Sequence, residues 1–257
     1  MPLMKRTFFW LVPALAVVGA SVWYFSLISQ KPQQPPLQAP APAPPSIRYP
    51  VKPDGPPAEP LPTLNESDSA MRDALAVLFG KDLEKFFNLN DIVHRIVATI
   101  DNLPRDSVPL RLMPVKPVPE LLVTTRAGEG LALSRKNSAR YDPYVRLAEA
   151  VPTQALVAVY RRFYPLFQKQ YENLGYPDRY FNDRLVEVID HLLEAPEADQ
   201  PVLLSQPGVL YQFADPKLER LSAGQKILLR MGRENALKIK AKLREIRQAL
   251  VSKAPSG

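Results

Sequence analysis

Cysteine is absent from the 257 residues, which excludes a disulfide framework, a thiolate metal site and a cysteine nucleophile. Histidine is nearly absent: His94 and His191 are the whole supply. No G-x-S-x-G elbow, P-loop or G-x-G-x-x-G occurs, so acyl transfer and nucleotide chemistry by the common routes have no support. No cofactor and no metal site is expected.

Charge is missing from one long interval. Thr7 to Gln30 carry none for 24 positions, about 36 Å of helix and enough to cross a bilayer core. Lys5 and Arg6 precede this run and only Lys31 follows closely, so the positive-inside rule puts residues 1–6 in the cytoplasm and everything beyond residue 30 across the membrane. Trp23 and Tyr24 fall near the far end, where interfacial aromatics are favoured. The competing reading is a signal peptide cleaved after Ala20, behind Val18-Gly19. The apolar run continues through "VWYFSLI", longer than a signal core requires, which favours an uncleaved membrane anchor over 7–30.

What is abundant is proline. Thirteen of the 29 prolines lie between Pro32 and Pro62, a stretch with too little apolar content for a core and too much proline for helix or sheet. Residues 31–63 therefore read as a semi-rigid, disordered stalk, spanning at most about 95 Å at about 3.1 Å per residue. An SH3 or WW ligand is the weaker reading, because those readers are mainly cytoplasmic.

The remainder, 64–253, is expected to be one mainly α-helical domain with a small β-hairpin, on the far side of the membrane. A helix starts near Ser67, with the stripe Met71, Leu75, Leu78 and a glycine cap at Gly80. A second opens at Asn88 and keeps a 3.6 period from Ile92 to Leu103, until Pro104 stops it. Residues 104–120, with five prolines, predict an extended crossing. A hairpin of 121–125 and 130–134 follows, turning at Gly128. Asp142-Pro143 is read as an N-cap with proline at the first helical position, and another helix begins after Val151-Pro152.

Between residues 160 and 184 aromatics, arginines and carboxylates crowd together: "YRRFYPLFQKQYENLGYPDRYFNDR". Helical spacing assigns them first to packing, with the return helix (Phe181, Leu185, Val188, Ile189, Leu192, Leu193) as the partner face of an antiparallel hairpin. A partly open groove for peptide or glycan would use Tyr160, Tyr164, Tyr171, Tyr176, Arg179 and Tyr180. Glu172, Asp178, Asp183 and Glu187 are nominal carboxylates for glycan cleavage, but nothing in their spacing selects a pair. Glu187 and His191 stand at i, i+4 without a third ligand, so Asp183, Glu187, Asp190, His191 and Glu194 read as a solvated acidic face. His94 reads as a packed or hydrogen-bonded histidine.

The net charge of +7 is concentrated at the end. From Lys217 onward there are eleven Lys/Arg against three acids, a net +8, so the rest sums to −1. Ser222-Ala-Gly-Gln225 is a capping box, and one amphipathic helix is expected from it to about Val251. Lys238, Lys240, Lys242, Arg244 and Arg247 surround its apolar seam. A solvated face is the plain reading; Lys238, Lys242, Arg244 and Arg247 are the candidates for contact with an anionic lipid, a glycan or an envelope protein. Nucleic acid is disfavoured, since it would require a cytoplasmic domain.

The phrases "RIVATIDNLPR" (95–105), "RYDPYVRL" (140–147), "LGYPDRYFNDRLVEVIDHLL" (174–193), "VLYQFADPKLE" (209–219) and "LSAGQKILLRMG" (221–232) span nearly the whole folded region. Read in that order, they resemble the bacterial family of domain of unknown function 3014. The resemblance implies a Gram-negative protein with one N-terminal membrane segment, which with the topology above puts the anchor 7–30 in a bacterial inner membrane and the domain 64–253 in the periplasm, and it supplies no catalytic residues. The expected role is a non-catalytic envelope interaction or scaffold module; the alternative is an envelope hydrolase acting on peptidoglycan or another glycan.

Overall fold

The computed structural model describes residues 46–51, 60–197 and 201–252. The run 7–30 and its cleavage site after Ala20 lie outside the described residues; among those described, no helix is long and apolar enough to cross a membrane. The described residues belong to one compact unit that begins at Pro45.

The unit is mainly helical. Helix α1 (Ser67–Phe79) buries Met71 and Leu75 and ends at Gly80, whose φ is 54°. A single turn, α2 (Leu83–Phe86), leads to α3 (Ile92–Asn102). This helix starts later than the expected Asn88, because Asn88 is drawn elsewhere: its Nδ2 donates to Met113 O at 3.0 Å. The true start is capped from another helix, the Asp68 carboxylate of α1 accepting Asp91 N at 2.7 Å and Ile92 N at 2.9 Å. A carboxylate there satisfies donors that a helix start leaves unpaired.

Residues 104–120 do cross the surface without regular sheet or α-helix, apart from a 3₁₀ turn at Leu110–Leu112. They are held by donors from neighbouring elements, Thr99 Oγ1 to Leu112 O at 2.9 Å and Tyr144 Oη to Pro117 O at 3.1 Å among them. The expected hairpin is β1 (Thr124–Ala127) with β2 (Gly130–Leu133), paired antiparallel in the register Thr124 to Leu133. Two further strands, β3 (Leu203–Ser205) and β4 (Gln212–Phe213), extend it to four in the order β1-β2-β3-β4. With two and three residues they carry too little alternation to be read. The outward N–H of Phe213 on edge strand β4 is met by Glu219 Oε2 at 2.8 Å.

Helix α4 runs Lys136–Ala150, with Pro143 inside it rather than at its start. The proline forfeits one ladder bond, and long-range ties hold the helix through it. Asn137 clasps Val123 by both backbone groups, at 3.0 and 2.6 Å, and Asn235 Nδ2 donates to Ser138 O at 3.0 Å and Asp142 Oδ1 at 2.9 Å. Helix α5 (Thr153–Asn173) starts after Pro152 as expected, and α6 is Phe181–Leu193. The aromatic face of α5 (Phe163, Tyr164, Phe167, Tyr171) packs chiefly with Met71 and Leu75 of α1, Val93 and Val97 of α3, and Phe181 at the start of α6. Val186 and Ile189 of α6 pack with Val157 of α5 and with Ala249 and Leu250 near the C-terminus.

After a turn α7 (Pro216–Glu219), the expected single C-terminal helix is instead two pieces, α8 (Ala223–Arg230) behind the predicted capping box of Ser222 and Gln225, and α9 (Arg233–Val251). The break is Gly232, at φ 82°. It lets α9 turn back across α4, α5 and α6. A Cβ on Gly232 would stand 2.3 Å from Ser138 Oγ. Gly232→Ala combines a disfavoured dihedral with a clash, and urea unfolding should show a loss of about 1–3 kcal/mol; an unchanged midpoint would mean that the joint is not sterically tight.

Candidate functional site

The most enclosed charge in the described unit is Asp101, near the end of α3, with 6% of its side chain exposed. Its Oδ2 accepts from Arg105 Nη2 at 2.6 Å and from the Tyr176 hydroxyl at 3.2 Å, and its Oδ1 accepts from Arg184 Nε at 3.1 Å. Arg184 Nη2 also donates to Asp101 O at 3.0 Å. A buried carboxylate survives only when paired and hydrogen-bonded. Here two guanidinium groups and a phenol from three segments do so. Asp101 in turn raises the Arg105 pKa, chiefly by its charge.

The following loop docks α8. Leu103 O accepts Gly224 N at 3.0 Å and Arg105 O accepts Ala223 N at 2.7 Å. The approach is close enough to favour glycine: a Cβ at Gly224 would lie 3.2 Å from Leu103 O and would displace the Leu192 side chain, whose Cδ2 stands 2.5 Å away. His191 Nε2 sits 2.8 Å from Ser222 Oγ, and Gln225 Nε2 donates to His191 O at 2.9 Å. Segments that carry the family resemblance, "IDNLPR", "GYPDRYFNDR" and "LSAGQ", thus meet at one joint, and its chemistry is structural.

The acidic row of α6 is the expected solvated face at Glu187 and Glu194, which are exposed, but three of its acids also hold partners from the chain. Asp183 accepts two consecutive backbone amides, Arg48 N at 2.9 Å and Tyr49 N at 2.8 Å. Glu187 pairs with the Arg48 guanidinium, and Asp190 with Arg247, whose Nη2 lies 3.0 Å from Asp190 Oδ2. Asn182, fully buried, donates to Tyr49 O at 2.8 Å. The interval Ser46–Val51, inside the stretch that composition assigns to the stalk, lies along this helix. Its signal was Tyr49, the single aromatic between Pro32 and Pro62. Asp101, Arg184, Asn182 and Arg48 were not singled out, because each role needs a partner 75 to 139 positions away.

The candidate aromatics fall into two neighbouring groups. Tyr160 donates to Asn182 Oδ1 at 3.0 Å, Tyr164 to Gln168 Oε1 at 3.0 Å, and the Tyr180 hydroxyl accepts Val51 N at 2.8 Å. Tyr171, 1% exposed, stacks on Tyr176 with ring centroids 4.6 Å apart. Arg179 is exposed, while its carbonyl accepts Gln168 Nε2 at 2.9 Å. Of the basic residues on α9, Lys242 donates to Val151 O at 2.7 Å, Arg247 is held by Asp190, and Lys240 is buried against Ala195 O. Lys238 pairs with Glu234 at 3.3 Å on the surface, and Arg244 is exposed. Tyr49 packs between these two sets, against the cluster of Val157, Val186, Ile189, Ala249 and Leu250 with Tyr160 and Ile246 at its edge.

The nominal glycan carboxylates do not converge on a cleft. Glu172 accepts from Gln168 Nε2 at 3.2 Å and Asp178 is exposed, while Asp183 and Glu187 hold the 48–49 backbone and side chain. Glu187 and His191 have separate partners, and among the described residues no group of three or more His, Asp or Glu could hold a metal ion. His94 is hydrogen-bonded as expected, its Nδ1 3.0 Å from Gln170 Nε2.

Fold and site together define a mainly helical domain with a small antiparallel sheet, in which the most buried charge is a structural tie. More particularly, the chain belongs to the family described as Protein of unknown function (DUF3014), whose model matches residues 92–247. The strap of 46–51 and helix α1 lie outside that match. No curated protein and no solved structure matches the chain.

Two measurements check the energetics. Asp101→Asn weakens the pairing of both arginines and should cost about 3 kcal/mol in urea unfolding, whereas Arg105→Ala, half-exposed, should cost under about 1 kcal/mol; equal losses would deny the carboxylate its central place. Burial pushes the Tyr160 and Tyr164 phenols well above their ordinary value and the Tyr171 phenol to about 12. A pKa raised on folding contributes stability that is complete below the unfolded value of about 10 and is lost as pH rises through the folded one. In an alkaline titration followed at the phenolate absorbance, these three should ionise late and together with unfolding. Ionisation of all ten tyrosines near pH 10 in a folded chain would contradict this burial.

Proposed function

We propose that this protein is a membrane-tethered, non-catalytic interaction module of the bacterial envelope. In this reading residues 7–30 hold it in the inner membrane, the proline-rich stretch spaces it, and the helical domain works in the periplasm. The uncharged run with Lys5 and Arg6 ahead of it supports the anchor and its orientation. One observation carries the non-catalytic part: Asp183 and Glu187, acids beside the aromatic cluster, are engaged by the chain's own Arg48 and Tyr49. Carboxylates occupied in that way are binding groups, whereas glycan hydrolysis needs two of them facing a substrate. Lys238 and Arg244 are the outward-facing members of the basic set on α9, suited to an anionic lipid, glycan or acidic envelope protein.

The test is protease accessibility of a C-terminal tag in intact cells, in cells with a permeabilised outer membrane, and after lysis. Cleavage should appear on permeabilisation, with the uncleaved chain pelleting in membranes. A tag protected until lysis would put the domain in the cytoplasm and overturn the reading.

A further inference from the structure

The contacts between Ser46–Val51 and α6 have the chemistry of peptide recognition. Three of the four backbone groups engaged are amides, of Arg48, Tyr49 and Val51, received by Asp183 and the Tyr180 hydroxyl at 2.8–2.9 Å. The fourth is the Tyr49 carbonyl, receiving Asn182 Nδ2 at 2.8 Å. Main-chain bonds of this kind set the direction and register of an extended segment, and side-chain pockets set its identity. Two such selectors are present. Glu187 takes the Arg48 guanidinium, and the apolar patch of Val186, Ile189 and Leu250 takes the Tyr49 ring. Pro50 offers no N–H, and none is asked of it. Arg48, its partner Glu187 and Pro50 remain open to water, unlike the core aromatics beneath.

We infer that this face of α6 is a peptide-binding site whose resident ligand is the chain's own Ser46–Val51, held in cis and exchangeable for an extended segment of the same chemistry: a basic residue and an aromatic ahead of proline. Asn182 and Asp183 read the backbone, Glu187 the basic residue, and the α6–α9 patch the ring. Tethering supplies the cis segment at an effective concentration of about millimolar, so a free peptide competes poorly until the cis copy is weakened. The site stands on these contacts alone and does not depend on the membrane topology.

The experiment uses the full chain in detergent and a fluorescent peptide of residues 44–53, PPSIRYPVKP, read by anisotropy. Arg48→Glu with Tyr49→Ala should raise peptide affinity about tenfold or more over wild type, and adding Asp183→Ala should abolish the gain. A folded strap variant with no saturable binding, or equal binding after Asp183→Ala, would overturn the site. Where the strap variant fails to fold, a specific protease site placed between residues 51 and 60 decides. After cutting, excess unlabelled peptide should release the N-terminal fragment from a folded domain; a fragment that stays, or a domain that unfolds on release, would make the segment part of the core and refute exchange. The assay is blind to compartment, so its failure and a failed topology are separate results.

Discussion

A carboxylate that cannot stay charged without partners organises this domain. Asp101 is nearly sealed from water, and an ionised group there is tolerable only where opposite charge and hydrogen-bond donors surround it. Arg105, Arg184 and Tyr176 satisfy it from the end of α3, the body of α6 and the α5–α6 turn. Any arrangement that separates those segments leaves a buried charge exposed to a low-dielectric interior. The same loop presents Leu103 O and Arg105 O to the first amides of α8, so the charge node and the C-terminal helices are joined through one short stretch of chain. Packing of apolar faces sets the approximate arrangement of helices; the ionic node and the close contact at Gly224 select the particular one.

Helix α6 serves two environments. Its Val186, Val188 and Ile189 enter the interior, while Asp183, Glu187 and Asp190 receive the 48–49 segment and Arg247. The basic excess of the C-terminal region is thereby partly consumed inside the domain. Lys240, Lys242 and Arg247 end on a carbonyl or a carboxylate of the same chain, and Lys238 and Arg244 remain at the surface. A charge count along the sequence therefore overstates what the last helix offers a partner.

Elements with a local physical signature were legible. Met71 and Leu75 at helical spacing, the proline-rich crossing after Pro104, the Gly128 turn and the Ser222–Gln225 capping box all appear where local rules put them. Failures came where distant atoms override a local preference. Pro143 sits inside α4 because Asn137 ties the first turn of that helix to Val123 and Asn235 holds it from α9, and α3 begins beyond Asn88 because Asp68 caps it from α1. The candidate aromatics were read correctly as mostly packing, yet the partners of the acids opposite them were missed, since nothing local announces that residues 48 and 49 come to rest there.

By itself the sequence determined the class of element at most positions, the lack of thiol chemistry, the location of the long uncharged run and the family. These depend on composition and on periods of a few residues, which are properties of the chain alone. Tertiary structure decided which charges are spent within the domain and which face outward, where the C-terminal helix breaks, and that part of the proline-rich stretch is a bound segment. Each of those outcomes is a competition between water and a partner remote in sequence, and only the assembled fold brings that partner within hydrogen-bond distance.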